Sequence, residues 1–185
     1  MAYASWSVSF GEQPSAAKWN ILGTNDASFN DGTGITGLYK NLLTVDSNPY
    51  KFRGYRSAAL STASGTNTAI PFDAETFDTN SNFDIATNKG RYTAPVSGYY
   101  SFSGAFGIIN IAGYMQISLW VNGSIYSNGG QLYYTNANNN FVTFSGLVYL
   151  TAGQYAELYY YTDGVKTVVV GTSNCYFSGH LVSRT

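Results

Sequence analysis

The chain has 185 residues, of which 44% are hydrophobic and only 10% are charged, and its net charge is -1. Without a basic excess it lacks the usual means of neutralising phosphates, so a nucleic-acid partner is not expected. With 17% aromatic residues, the composition is that of a folded chain rather than a disordered or collagenous one.

The single cysteine, Cys175, excludes an internal disulfide and a cysteine-based zinc site. No apolar run approaches the roughly 18 residues of a membrane-spanning helix, and no membrane insertion is expected. The first residues lack the basic start and apolar stretch that are typical of a secretion signal. We therefore expect assembly in a cytoplasm.

Residues 1–50 predict a short helix set among loops. Pro14 fits the first turn of a helix, and Gly23 is a typical stop. Between them, the helix is continued by Trp19, Ile21 and Leu22. Because so short a helix is marginal in water on its own, this segment needs a partner, either its own copies or another protein.

A boundary is predicted near Asn48-Pro49, because a residue before proline is pushed towards extended geometry. Just before it, the apolar run at 38–43 is compatible with either helix or strand. The boundary divides the chain into an attachment or trimer-initiation segment (1–50) and a head domain (51–185).

The sequence of the head domain predicts strands along almost its whole length. Alternating apolar residues at 115–121 are followed at once by Asn122-Gly123, the strongest short hairpin signal. Further strands are predicted at 99–103, 141–150, 155–161, 165–170 and 176–183. Strands at this spacing, with Gly and Asn turns and no helical period between them, predict an all-β sandwich or jelly roll.

Several runs of the head domain resemble one known family. The run Tyr92-Thr93-Ala94-Pro95-Val96-Ser97-Gly98-Tyr99-Tyr100-Ser101-Phe102 resembles a signature of the globular heads of complement component 1q and of tumour-necrosis-factor-like jelly rolls. Tyr176-Phe177-Ser178-Gly179-His180-Leu181 is similar to the closing strand of that family. The resemblance covers about residues 52–185 and implies a TNF-like jelly-roll sandwich.

The same resemblance implies a tight homotrimer. Large aromatic residues on both faces of one strand also need a second burial surface. We expect the trimer interface to include Tyr100, Phe102, Tyr159, Tyr161, Tyr176 and His180. The last strand lines the three-fold axis in this family, so the three copies of His180 are expected to lie near one another.

The run Gly11-Glu12-Gln13-Pro14-Ser15-Ala16-Ala17-Lys18-Trp19-Asn20-Ile21-Leu22-Gly23-Thr24-Asn25-Asp26 resembles a leader of phage fibre-like proteins. In those proteins the leader precedes variable C-terminal heads. The resemblance, taken over about residues 10–35, implies attachment to other virion proteins, or trimer initiation. The attachment residues would be Pro14, Trp19, Ile21 and Leu22.

Residues 128–140 are polar, uncharged and contain two adjacent tyrosines. Tyr and Asn combine rigid contact area with adaptable hydrogen bonds, which suits a glycan. The candidate ligand-binding residues are Tyr133, Tyr134, Asn136, Asn138, Asn139 and Asn140. An ordinary long loop with solubilising asparagines is the equal alternative.

The acidic residues Asp73, Glu75 and Asp78 are weak candidates for a calcium site, since calcium prefers carboxylate oxygens. A solvated polar loop is the preferred interpretation of these charges. No other metal or cofactor is expected.

Catalysis is not expected. His180 is the only histidine, and it shares a strand face with Ser178 instead of standing beside a nucleophile elbow. We expect a structural virion protein, a trimeric tail or capsid fibre or spike, displayed on the particle exterior after assembly in the host cytoplasm. Its head would recognise a host-surface glycan or protein. The alternative is a secreted or surface-displayed adhesive module of a bacterium.

Overall fold

A computed structural model describes Asn48 and residues 50–109, 112–135 and 138–185, and Asn48 to Thr185 form one compact unit. None of these described residues is helical, and none of their segments forms a helix able to span a membrane. The predicted leader helix lies outside the described residues, as do its attachment residues. The functional division of the chain at residue 50 stays a prediction.

The described residues form eleven strands. In chain order they are β1 (Lys51–Tyr55), β2 (Thr68–Ala69), β3 (Ala74–Asp78), β4 (Phe83–Asp84), β5 (Arg91–Thr93), β6 (Gly98–Ile108), β7 (Gly113–Val121), β8 (Ser124–Tyr134), β9 (Asn140–Leu150), β10 (Tyr155–Thr162) and β11 (Tyr176–Arg184).

The strands form two antiparallel sheets. The first sheet has the order β3-β1-β11-β6-β9, and the second has the order β4-β5-β10-β7-β8, with β2 paired to β10. One face of each sheet packs on the other, and alternate residues of each strand therefore point to the core or outward. The predicted all-β jelly-roll sandwich is confirmed.

The predicted hairpin is also confirmed, and its turn joins β7 to β8. Asn122 has a φ of 49° and Gly123 a φ of 76°. Positive φ at both central residues is the geometry that an Asn-Gly pair adopts most readily, and its twist matches that of the flanking strands. The turn therefore pairs β8 with β7, and β8 forms an edge of the second sheet.

The core is dominated by stacked aromatic rings. The ring of Phe52 lies 4.7 Å from that of Phe83 and 4.5 Å from that of Tyr92, measured between centroids. Close by, a Cβ on Gly179 would stand 2.4 Å from a ring atom of Phe102, so only glycine leaves room for that ring. The glycine of the closing strand is therefore a packing requirement.

Two residues expected at a trimer interface belong to this core instead. Tyr100 and Phe102 are both 0% exposed, and the Tyr100 hydroxyl donates to the Val96 carbonyl oxygen at 2.7 Å. The prediction was wrong for this pair because alternation shows which residues share a face but not which face is inward.

The valine-rich segment 165–170 is not the predicted strand. It makes only isolated bridges, from Thr167 to Ser61 and from Val168 to Ile108. Its backbone groups alternate between two different partners, since Val168 N–H donates to the Leu60 carbonyl and the next N–H donates to the Gly107 carbonyl. A continuous ladder with one neighbour therefore does not form.

Candidate functional site

The sandwich leaves two outward faces, one on each sheet. We call the outward side of the first sheet the apolar face; its large exposed side chains include Phe77, Tyr99, Phe141, Leu147 and Tyr149. We call the outward side of the second sheet the aromatic–amide face. It carries Tyr114, Gln116, Ser118, Trp120, Ile125, Asn128, Gln131, Tyr133, Tyr155, Glu157, Tyr159 and Tyr161.

The apolar face is built by neighbouring strands β6 and β9. Tyr99 and Tyr149 are directly opposite in register, and their ring centroids are 5.4 Å apart in an edge-to-face contact. The side chains remain 44% and 42% exposed, and Leu147 beside them is 56% exposed. A contiguous patch of this kind marks an interaction surface more often than an ordinary solvated one.

A polar groove continues the apolar face towards β1 and β11. Arg53 places its guanidinium carbon 3.9 Å from the ring centroid of Tyr176 and donates to the Thr172 carbonyl at 2.7 Å. The groove is lined in part by Ser178 and by the exposed His180. Tyr176 and His180 thus lie outward on the first sheet, which leaves them accessible to a neighbouring molecule.

On the aromatic–amide face, the rings of Trp120 and Tyr159 stack. Their centroids are 4.2 Å apart and their planes differ by 14°. The indole N–H of Trp120 donates to the Ser118 hydroxyl at 2.9 Å. Burial, and then the Glu157 carboxylate, raise the pKa of the Tyr159 hydroxyl. The phenol is therefore neutral at any ordinary pH.

Side-chain amides of the same face are joined across β7 and β8. The Tyr114 hydroxyl donates to the Gln131 side-chain oxygen at 3.0 Å. The Gln116 side-chain nitrogen donates to the Asn128 side-chain oxygen at 2.9 Å. These bonds hold the amides in place against the rings around them.

The ion pair of this face joins β5 to β10. Arg91 Nε donates to Glu157 Oε1 at 3.0 Å, and its guanidinium carbon lies 3.7 Å from the Tyr155 ring centroid. Glu157 is only 6% exposed, so its charge is compensated within the protein. The sequence held a signal for this pair, because Glu157 is the only charge between residues 93 and 162.

A family model described as the C1q domain matches residues 54–182. The chain belongs to the C1q domain family. Members of this family are typically trimeric binding modules without enzymatic activity. No curated protein matches the sequence significantly.

Solved structures share the fold at low sequence identity. The globular domain of zebrafish complement 1qA protein is 14% identical, with a TM-score of 0.55, covering 74% of this chain and 99% of that one. Eiger TNF from S. frugiperda is 9% identical, with a TM-score of 0.57, covering 74% and 94%. Murine APRIL is 9% identical, with a TM-score of 0.56, covering 71% and 98%. These likenesses establish the C1q/TNF-like jelly roll and nothing finer.

In this C1q domain, the two adjacent tyrosines of the predicted glycan loop lie on strand β8 and point to opposite sides. Tyr133 is 72% exposed and lies opposite Tyr114 on the aromatic–amide face. Tyr134 is only 5% exposed, and its hydroxyl has no hydrogen-bond partner among the described residues. Tyr134 was therefore wrongly assigned to a binding surface, because strand alternation turns it into the core.

The predicted asparagines do not all lie in one place. Asn136 lies outside the described residues. Asn138 and Asn139 are exposed, whereas Asn140 begins β9 and donates from its side-chain nitrogen to the Asn138 carbonyl at 2.7 Å. Their role in ligand binding stays a prediction.

The acidic residues considered for calcium are held apart. Asp73 forms an ion pair with Arg56 at 2.8 Å, and Asp78 accepts a hydrogen bond from the Phe83 N–H at 2.7 Å. Glu75 is exposed on β3. No three His, Cys, Asp or Glu side chains converge anywhere in the described part of the chain. The geometry does not support the calcium candidate.

The predicted interface tyrosines Tyr159 and Tyr161 lie on the aromatic–amide face, on the opposite side of the sandwich from Tyr176 and His180. The predicted interface set is therefore split among two outward faces and the core. Only Tyr176 and His180 share a sheet face with the apolar patch.

Proposed function

We propose that the chain forms a homotrimeric binding module through its apolar face, and that this module is the head of a phage fibre or spike which recognises a host-surface glycan. The observation that carries the trimer is the apolar face itself. Three of its large side chains, Tyr99, Leu147 and Tyr149, stay between 42% and 56% exposed in the single chain.

Burial of this face would stabilise an assembly substantially. Full burial of a large apolar side chain contributes roughly 1.5–3 kcal/mol, so a half-exposed one contributes roughly 1 kcal/mol when covered. In a closed three-fold assembly, each of these contributions is repeated at every interface. Trimeric assembly is typical of the family, which supports this use of the face.

The virion role is supported by the sequence alone. Residues 11–26 resemble a phage fibre leader, and this run lies outside the described residues. The glycan role is supported by the uncharged Tyr, Gln and Asn side chains that cover the second sheet. Such side chains contact hydroxyl-rich ligands through both ring faces and hydrogen bonds.

Light scattering of the purified full chain at micromolar concentration tests the assembly. We expect about three times the chain mass of 20.0 kDa; a monomer across the micromolar range would contradict the proposal.

The attachment role needs a separate experiment. A chain that begins at Tyr50 is expected to fold and trimerise but to be missing from purified particles. If the shortened chain is incorporated at the normal copy number, residues 1–50 do not attach the protein.

A further inference from the structure

We propose that the aromatic–amide face is a platform for a neutral oligosaccharide of pyranose units. The inference rests on the proposed glycan recognition and names the site and the ligand class. It moves recognition from the predicted loop at 128–140 to a sheet surface, and Tyr133 is the candidate binding residue that the two sites share.

Rings on three adjacent strands make the surface continuous. Tyr161 and Tyr159 of β10 lie opposite Gln116 and Ser118 of β7, and Tyr114 of β7 lies opposite Tyr133 of β8. Along β7, from Tyr114 to Trp120, the surface extends about 20 Å. Partly exposed rings in such a row present apolar surface to the C–H faces of successive sugar rings.

The polar groups of the platform are already positioned. The Trp120 indole N–H is bonded to the Ser118 hydroxyl, and the Gln116 amide to the Asn128 amide. Tyr114 holds Gln131 in the same way. Side chains that are fixed before binding lose less conformational freedom when a ligand arrives. Ser118 is only 3% exposed and serves to orient the indole. A ligand rich in hydroxyls matches the exposed amides of Asn128 and Gln131.

The charge of the face selects a neutral ligand. Arg91 and Glu157 compensate each other at 3.0 Å, and the guanidinium is also covered by the Tyr155 ring. A phosphate or carboxylate on a ligand would therefore meet a cation that already has a partner. A neutral oligosaccharide has no such electrostatic cost on binding and complements the neutral surface.

A second copy of the protein fits this face less well than a glycan does. Tyr and Trp occur at the centre of protein–protein interfaces as well, whereas Glu and Ser are depleted there. Here Glu157, Ser118 and three side-chain amides stand among the rings, and Ile125, 54% exposed, lies opposite Trp120 at one end of the face. The apolar face instead places Leu147, 56% exposed, beside the paired rings of Tyr99 and Tyr149. The two faces thus separate self-association from ligand binding.

Calorimetric titration of the full chain tests the platform, with maltohexaose, cellohexaose, chitohexaose and mannohexaose as neutral probes and hexagalacturonate as the anionic probe. We expect binding of at least one neutral probe and none of the anionic one. The Trp120→Ala variant is expected to weaken that binding by at least about tenfold. Gln131→Glu, which keeps the side-chain shape and adds a charge, is expected to weaken it also.

Val165→Ala is the control, since Val165 is 66% exposed and belongs to neither outward face. Its affinity per protomer is expected to equal that of the unaltered chain. If Trp120→Ala does not fold, the affinity of Gln131→Glu for the neutral probe is the measurement that tests the platform.

The platform is overturned if no neutral probe binds, if the anionic probe binds better, or if Trp120→Ala and Gln131→Glu both bind as tightly as the unaltered chain. It is also overturned if Trp120→Ala folds but changes the oligomeric state, because the face would then be a protein interface. If no neutral probe binds but the protein is a trimer and adsorption to the host is normal, only this inference is wrong. Absence of a trimer removes the proposed function.

Discussion

The two outward faces of the sandwich both display tyrosines, yet they differ in what surrounds those tyrosines. On the apolar face, Tyr99 and Tyr149 contact each other beside the bare side chain of Leu147. On the aromatic–amide face, Tyr114 is bonded to Gln131, and Tyr159 stacks on Trp120. The neighbours of an exposed ring, more than the ring itself, indicate whether a surface is suited to self-association or to a hydrated ligand.

The largest expected effect is on the oligomeric state, when a charge is placed on the apolar face and, for comparison, on the aromatic–amide face. We expect Leu147→Asp to convert the trimer into monomers, because three buried and unpaired carboxylates would each cost several kcal/mol. Light scattering at micromolar concentration measures the change. Gln131→Glu places a comparable charge on the aromatic–amide face and is expected to leave the trimer intact. Dissociation by Gln131→Glu and not by Leu147→Asp would reverse the assignment of the faces.

The inner and outer sides of β8 can be compared at two consecutive tyrosines. We expect Tyr134→Ala to lower the free energy of unfolding by about 3 kcal/mol, since it empties a buried site. Tyr133→Ala, on the aromatic–amide face, is expected to change it by less than about 0.5 kcal/mol. Urea unfolding at one fixed protein concentration measures both. Equal losses in the two variants would show that β8 is not in the described register.

Beside the first sheet, the Arg56–Asp73 pair gives a pH-dependent contribution. Burial raises the pKa of the Asp73 carboxyl, but the Ser57 N–H bond and the Arg56 charge outweigh it, and the net pKa lies below its usual value. The pair therefore stabilises the fold above the unfolded pKa of about 3.9. This contribution disappears as the pH falls through the lower folded pKa.

We expect Asp73→Asn to reduce stability at neutral pH by the order of 1 kcal/mol and to flatten the loss of melting temperature in acid. Melting curves at neutral pH and at about pH 3 measure both effects. If the two proteins lose melting temperature in parallel, the Asp73 carboxyl does not carry the acid sensitivity.

The smallest expected effect is that of salt on the dissociation constant of the trimer. The apolar face owes its association to buried apolar area, and raising ionic strength from about 0.1 M to about 1 M screens only charges. We expect the trimer dissociation constant to change by less than about tenfold over this range, measured by analytical ultracentrifugation. A steeper dependence would place Lys51, Arg53 and His180 at the centre of the interface.

The sequence predicted the parts of the fold that depend on local signals. Alternation identified the strand at 115–121, and the Asn122-Gly123 pair identified its hairpin, because both are encoded within a few residues. The inward position of Tyr134 was missed, since glycines and amides obscure the alternation of β8. Register shifts between Gln116 and Ser118 further alter which of its residues face the core.

The candidate faces depend on contacts that no local pattern contains. Arg91 and Glu157 meet across neighbouring strands although they are far apart in the chain. The isolation of Glu157 in the sequence is a signal for a buried charge, but it does not identify Arg91 as the partner. For Tyr100 and Phe102, shared periodicity was visible, whereas the choice of inner face depends on how the two sheets stack.

The position of β11 has a consequence for how the domain is made. β11 is the last strand of the domain, yet it lies inside the first sheet, between β1 and β6. During synthesis, β1 and β6 therefore emerge from the ribosome long before the strand that joins them. A nascent chain arrested at Cys175 would carry two unpaired strand edges, which are prone to aggregation. Completion of the sheet depends on contacts between distant parts of the sequence, and we expect it to be slow and to follow translation.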